Sequence, residues 1–156
     1  MSAASNYLEG KVLDHVLRVA SYTQPSGLWL ALFTNTSGNA ATNLEAGTLT
    51  DEISTGGGSL YARQTATFAA ASGGTSATSA TITFPAAGAN WGTITHVAVM
   101  DGATAGAGNV LFWGAVTTAK TIETGDTRIV DCLLVVTSNN IDTVSCNNCI
   151  TCDLVC

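Results

Sequence analysis

Four of the five cysteines, Cys146, Cys149, Cys152 and Cys156, fall in the last eleven residues of the 156-residue sequence, and only Cys132 stands apart. Their spacing, C-x2-C-x2-C-x3-C, is open to three chemistries. Thiolates at these steps wrap an iron–sulfur cube in bacterial ferredoxins, although no second cysteine group is present here and only Cys132 is available as a remote ligand. Zinc is also held by four thiolates, but structural zinc usually takes two separated pairs rather than one contiguous run. The third chemistry is disulfide formation. Because five is an odd number, at least one thiol stays free or bonds to another molecule if the rest pair among themselves. Intermolecular disulfides through Cys146, Cys149, Cys152 and Cys156 are the expectation, and a metal on the same four residues is the alternative. Cys132 is an additional thiol in the apolar stretch Ile129-Val130-Asp131-Cys132-Leu133-Leu134, where a buried cysteine is usually inert packing.

Other groups with chemical potential have simpler readings. His15 lies beside Asp14 on a predicted helix and reads as a surface or interface residue; His96 alternates with Thr95 and Val97 and reads as a hydrogen-bonded sheet histidine. No serine or cysteine shares a nucleophile motif with either histidine. Asp51-Glu52 reads as a solvated loop pair, since no calcium loop surrounds it. The run Gly56-Gly57-Gly58 lacks the Lys-Ser/Thr of a phosphate loop and reads as a hinge. Trp29, Trp91 and Trp113 offer a sugar platform, as an adhesin would need, but tryptophans inside strands usually belong to the core. Neither enzymatic activity nor a cofactor is expected.

Composition narrows the partners. Charged residues make up only 10% of the chain against 46% hydrophobic, a surface with little self-repulsion and suited to contact with other protein copies. A net charge of −6, with Lys11, Arg18, Arg63, Lys120 and Arg128 scattered, excludes the basic stripe that nucleic acid requires. No apolar run reaches the length of a membrane span, and Met1 to Ser5 carry no secretory pattern, so synthesis in a cytoplasm is expected. A reducing cytosol keeps thiols unpaired. A particle assembled in the host cytoplasm and then released into oxidising surroundings reconciles that with the cysteine tail.

The elements that must position these groups begin with a helix. Leu8, Val12, Leu13, Val16, Leu17 and Ala20 recur at three- and four-residue steps between Ser5 and Ala20, and Asn6 with Glu9 resembles a capping box. Gln24-Pro25-Ser26-Gly27 turns the chain. Leu28 to Phe33 is apolar on both strand faces, which predicts burial between the helix and a second sheet. Residues 34 to 59 read as a long loop, either an arm laid on an adjacent subunit or a disordered connection. Period-two strands are predicted at Leu60 to Phe68, Ala80 to Phe84, Thr93 to Met100, Val110 to Val116 and Arg128 to Val136. The expected fold is mainly β: an antiparallel β-sandwich with one N-terminal α-helix over residues 1–137, followed by an irregular Cys-rich linking tail over 138–156.

Several segments carry a likeness: Ser5-Asn6-Tyr7-Leu8-Glu9, Leu13-Asp14-His15-Val16-Leu17-Arg18, Leu28-Trp29-Leu30-Ala31-Leu32-Phe33, Tyr61-Ala62-Arg63-Gln64, Ile82-Thr83-Phe84-Pro85-Ala86, Asn90-Trp91-Gly92-Thr93-Ile94-Thr95-His96 and Val110-Leu111-Phe112-Trp113-Gly114. In this order they resemble a family of small virion proteins of tailed double-stranded DNA bacteriophages, tail-fibre-like or minor structural, over residues 5 to 136. The cysteine tail departs from the family pattern. The resemblance implies a virion structural protein, and a minor capsid or decoration protein is the expectation, with a collar, neck or tail-fibre component as the alternative. Its expected partners are other virion proteins, either the major capsid protein or neck and tail proteins, joined through the tail disulfides. A homo-oligomer is expected, with no nucleic acid and no membrane.

Overall fold

The computed structural model describes residues 2–126, with side chains from Ala3, and the backbone of three further strand pieces at 131–132, 135–137 and 149–151. The elements in chain order are β1 Ser2–Ala4, α1 Asn6–Val16, β2 Trp29–Phe33, α2 Ala40–Glu45, β3 Gln64–Thr65, β4 Thr75–Ala77, β5 Gly92–Met100, β6 Val110–Ile122, β7 Asp131–Cys132, β8 Val135–Thr137 and β9 Cys149–Thr151. One antiparallel sheet runs β1-β6-β5-β2-β3, and two small pairs, β4 with β8 and β7 with β9, accompany it. The fold is therefore mainly β and antiparallel.

Register explains why β2 is apolar on both faces. Leu30 pairs with Val99 and Leu32 with Val97, and these four side chains enter one buried cluster. Ala31 pairs with Ala98 and Phe33 with His96, and Ala31, Phe33 and Ala98 join Met100, Val110 and Trp113 in a second cluster on the opposite face. A strand whose two faces both meet protein has no solvent side to alternate toward. Each large side chain fully buried this way contributes about 1.5–3 kcal/mol relative to exposure.

What covers the two faces differs from expectation. The first cluster is completed by Tyr61, Ile82, Phe84 and Trp91. Tyr61, Ile82 and Phe84 come from segments predicted as strands at 60–68 and 80–84, of which only Gln64–Thr65 pairs in the main sheet. Pro85 and a glycine-rich neighbourhood interrupt the ladder there: Pro85 lacks an N–H, and a Cβ on Gly88 would lie 2.0 Å from the Gly58 carbonyl oxygen, so only glycine allows that approach. The second face is covered by α2, whose Ala40 and Leu44 are buried. The helix over the sheet is thus α2, from inside the stretch read as a free arm, and not the N-terminal helix.

Residues 34–59 are anchored rather than loose. Asp51 is buried and its carboxylate accepts from the Ser37 N–H at 2.9 Å, the Ser37 hydroxyl at 2.6 Å, Thr36 Oγ1 at 3.1 Å and Asn43 Nδ2 at 3.2 Å. Burial alone would raise its pKa, but the hydrogen bonds from Ser37, Asn43 and Thr36 outweigh that and hold it below the ordinary carboxylate value. The arm reading is corrected: three short polar side chains and one backbone N–H gathered on one carboxylate fold the segment onto its own sheet.

The reading of Asp51-Glu52 as a solvated pair is also corrected. Arg63 Nε and Nη2 donate to the two Glu52 carboxylate oxygens at 2.7 and 2.8 Å, a bidentate pair with both side chains almost fully buried. Arg63 Nη1 continues to the Gly102 and Ala107 carbonyls at 2.7 and 2.9 Å, and Glu52 also accepts from the Gly106 N–H at 2.7 Å. The Tyr61 hydroxyl bridges Glu52 and the Leu32 N–H. Burial, with the Glu52 charge beside it, pushes the Tyr61 phenol far above its usual range. The network ties the 101–109 turn to β2 and to the chain before β3.

Candidate interaction surface

Strand β1 passes into α1 at Ser5 with no loop between them. The Ser5 N–H donates to the Leu111 carbonyl at 2.9 Å and its hydroxyl donates to the Val110 carbonyl, while the same oxygen accepts from the Leu8 N–H at 3.3 Å. Ser5, not Asn6, is the N-cap. The expected Asn6 and Glu9 capping box does not form: Ser5 is fixed at zero exposure by its bonds to β6, and the residue three positions after it is Leu8, which has no side-chain acceptor.

Beyond that anchor the helix leaves the core. Leu8 is its one buried residue, and from Gly10 to Ala20 every residue is exposed except the half-buried Asp14. Six large hydrophobic side chains are exposed among the described residues, and five of them, Val12, Leu13, Val16, Leu17 and Val19, belong to this helix and the turn after it. Val16 and Leu17 are each 68% exposed and Val19 75%, values that a helix lying on its own sheet would not show. The periodic stripe was legible in the sequence. What periodicity could not reveal is that α1 meets the sheet only at its β1 and β6 margin, leaving the stripe uncovered beyond Leu8.

The helix ends in a Schellman turn: the Val19 N–H reaches the Asp14 carbonyl at 2.8 Å and the Arg18 N–H the His15 carbonyl at 3.3 Å. Arg18 occupies the position that favours glycine, at φ 62°. His15 Nδ1 accepts from the Tyr22 N–H at 3.2 Å, folding the following chain back. Among the described residues Lys11 and Arg18 are the two exposed cations, since Arg63 is buried and Lys120 half-buried.

The other sequence candidates fall away from this surface. Trp91 and Trp113 are buried, their indole N–H groups bonded to the Ser59 carbonyl and to Glu45 at 2.8 Å each, so they pack the core and present no ring to a sugar. A groove of about 430 Å³ beside Trp91 is lined by the short polar side chains Thr34, Asn35, Thr36, Asn90 and Thr93. His96 is half-buried, bonded through Nδ1 to Thr95 Oγ1 at 2.9 Å, and burial lowers its pKa. Cys132 and Cys149 are Cα partners between β7 and β9. Cys146, Cys152 and Cys156 lie outside the described residues.

A charge-poor antiparallel sheet that holds its helix outward, apolar side exposed, has the build of an assembly component. The comparison with known families agrees and gives the class as a bacteriophage virion structural protein of tail-fibre-like type. The chain belongs to the family described as Podophage GP4 fiber I protein gp80, whose model matches residues 3–135. No curated protein matches the chain. The protein is thus a virion component, its partners are other virion proteins, and no helix among the described residues is long and apolar enough to cross a membrane.

Proposed function

We propose that this protein is a non-enzymatic subunit of a virion fibre, a homo-oligomer joined to neighbouring virion proteins through disulfides of a linking tail at residues 138–156. The observation that carries the fibre role is the family match across residues 3–135, because the family's description names a fibre protein. It favours the tail-fibre reading over the minor capsid, decoration or collar roles. The exposed apolar helix end supports an assembly function.

The cysteine spacing supports the covalent part. Each disulfide takes two electrons and two protons from a pair of thiols, and dioxygen or a small-molecule disulfide met after release from the host accepts them. If Cys132 and Cys149, which are register partners, bond within the chain, three cysteines remain, and three cannot all pair with one another.

Electrophoresis of purified particles with and without reductant tests this reading. A ladder or a higher-mass band that collapses to monomer on reduction is expected, with mapped peptides joining Cys146, Cys152 or Cys156 to another chain. Monomer alone under non-reducing conditions defeats the crosslink. Absorbance of an iron–sulfur cluster or stoichiometric zinc in the purified chain would assign the same cysteines to metal instead. Immunogold labelling on the capsid shell rather than on fibres would overturn the fibre role.

A further inference from the structure

We propose that the outer end of α1 and its closing turn, Val12 to Val19, is the surface by which one copy of this chain docks on a second copy; this rests on the reading of the protein as a virion structural subunit. Five of the six exposed large hydrophobics among the described residues converge there, so water is excluded only if another surface covers them. Of α1 only Leu8 is buried in the core, in the first cluster, and the opposite face of the sheet is covered by α2, so the chain's own sheet does not receive them.

Charge decides in favour of a second copy. The helix and its closing turn, residues 6–19, carry Glu9 and Asp14 against Lys11 and Arg18 and are neutral, while the whole chain carries −6, so all of the net charge lies elsewhere. Two copies meeting at this helix touch where neither repels the other and keep their acidic remainders apart. An anionic membrane or a nucleic acid would require net positive charge at the contact, and the segment has none. Both signs on one short helix also suit an isologous contact, in which the cations of each copy face the carboxylates of the other.

Arg18 is fixed by the closing turn itself: as its left-handed residue it is exposed beside the apolar side chains that flank it. The turn displays Val16, Leu17, Arg18 and Val19 together, an apolar patch with one guanidinium, the composition of interface centres. An eleven-residue helix is short, so a single contact is of the weak, small-interface kind, and repetition along an assembly supplies the avidity.

Sedimentation equilibrium of the full chain under reducing conditions tests this without any contribution from tail disulfides. Wild type is expected to self-associate at micromolar concentration. Val16→Asp/Leu17→Asp is expected to weaken association roughly tenfold or more, with an unchanged circular dichroism spectrum since both residues are exposed. Leu60→Asp, which alters the remaining exposed large hydrophobic, is expected to associate like wild type. A wild-type chain that stays monomeric, a double variant that associates normally, or a Leu60→Asp variant that loses association would each overturn the proposal. None of these outcomes depends on whether the tail forms disulfides or where the protein sits in the particle.

Discussion

Replacing Arg63 with alanine would leave the Glu52 carboxylate buried with its counter-charge gone and strip the Gly102 and Ala107 carbonyls of their donor. Removing one partner of a buried pair costs about 3–5 kcal/mol, far more than the same change at a solvated charge, where about 0–1 kcal/mol is typical. Arg63→Ala is therefore expected to lower the urea midpoint strongly. A double change of Glu52→Leu with Arg63→Met is expected to recover much of the loss, because no buried charge then remains. Equilibrium urea denaturation of the three chains measures both effects, and a cost for Arg63→Ala under about 1 kcal/mol would show that the network stabilises little. In a chain with 10% charged residues, Glu52 and Arg63 look like two more scattered surface charges. Sequence spacing carries no sign that they meet across eleven positions, because the meeting is made by the return of the chain from β2 to β3.

Elements were legible in proportion to how locally they are determined. Strand β2 was legible from its two-faced apolar run and β5 and β6 from the period-two pattern, because sheet pairing and burial ask for the same residues there, although β6 continues to Ile122, past the apolar stretch ending at Val116. The strands expected at 60–68 and 80–84 are apolar for the same reason as a strand, burial, but apart from the short pairing at Gln64–Thr65 their side chains pack the core without a ladder in the main sheet. Composition alone made 34–59 a loop, and the anchor that folds it, Asp51, reads as a surface acid until its four donors are seen together. Its lowered pKa gives a testable pH effect. The unfolded carboxyl titrates near the ordinary aspartate value of 3.8, so the stability that Asp51 contributes is complete above that pH and is lost as the pH falls through its lower folded value. Asp51→Asn is expected to be less stable than wild type at neutral pH, and the gap between the two is expected to shrink below pH 3.8. Urea midpoints across an acid series measure that gap, and a gap that stays constant or widens would remove the charge of Asp51 from the account.

At the scale of the whole molecule the cysteine tail and the sheet separate cleanly in sequence. The five strands of the main sheet end at Ile122, and both buried clusters draw their residues from Ala3 to Ile122. Deleting residues 138–156 removes β9 and its pairing with β7 but leaves β4 with β8 and every residue of the two clusters in place. β9 also lies against β6, but a two-stranded pair is marginal in water, so its loss is expected to cost about 1 kcal/mol, a few degrees in Tm. The truncated chain is therefore expected to unfold in one cooperative transition with near-native circular dichroism. Four of the five cysteines go with the deleted segment, so it should also lose the reductant-sensitive species while keeping its non-covalent self-association through α1. A truncated chain that fails to fold cooperatively would make the last nineteen residues part of the core, and one that folds but no longer associates under reducing conditions would place the docking surface in the tail rather than on the helix.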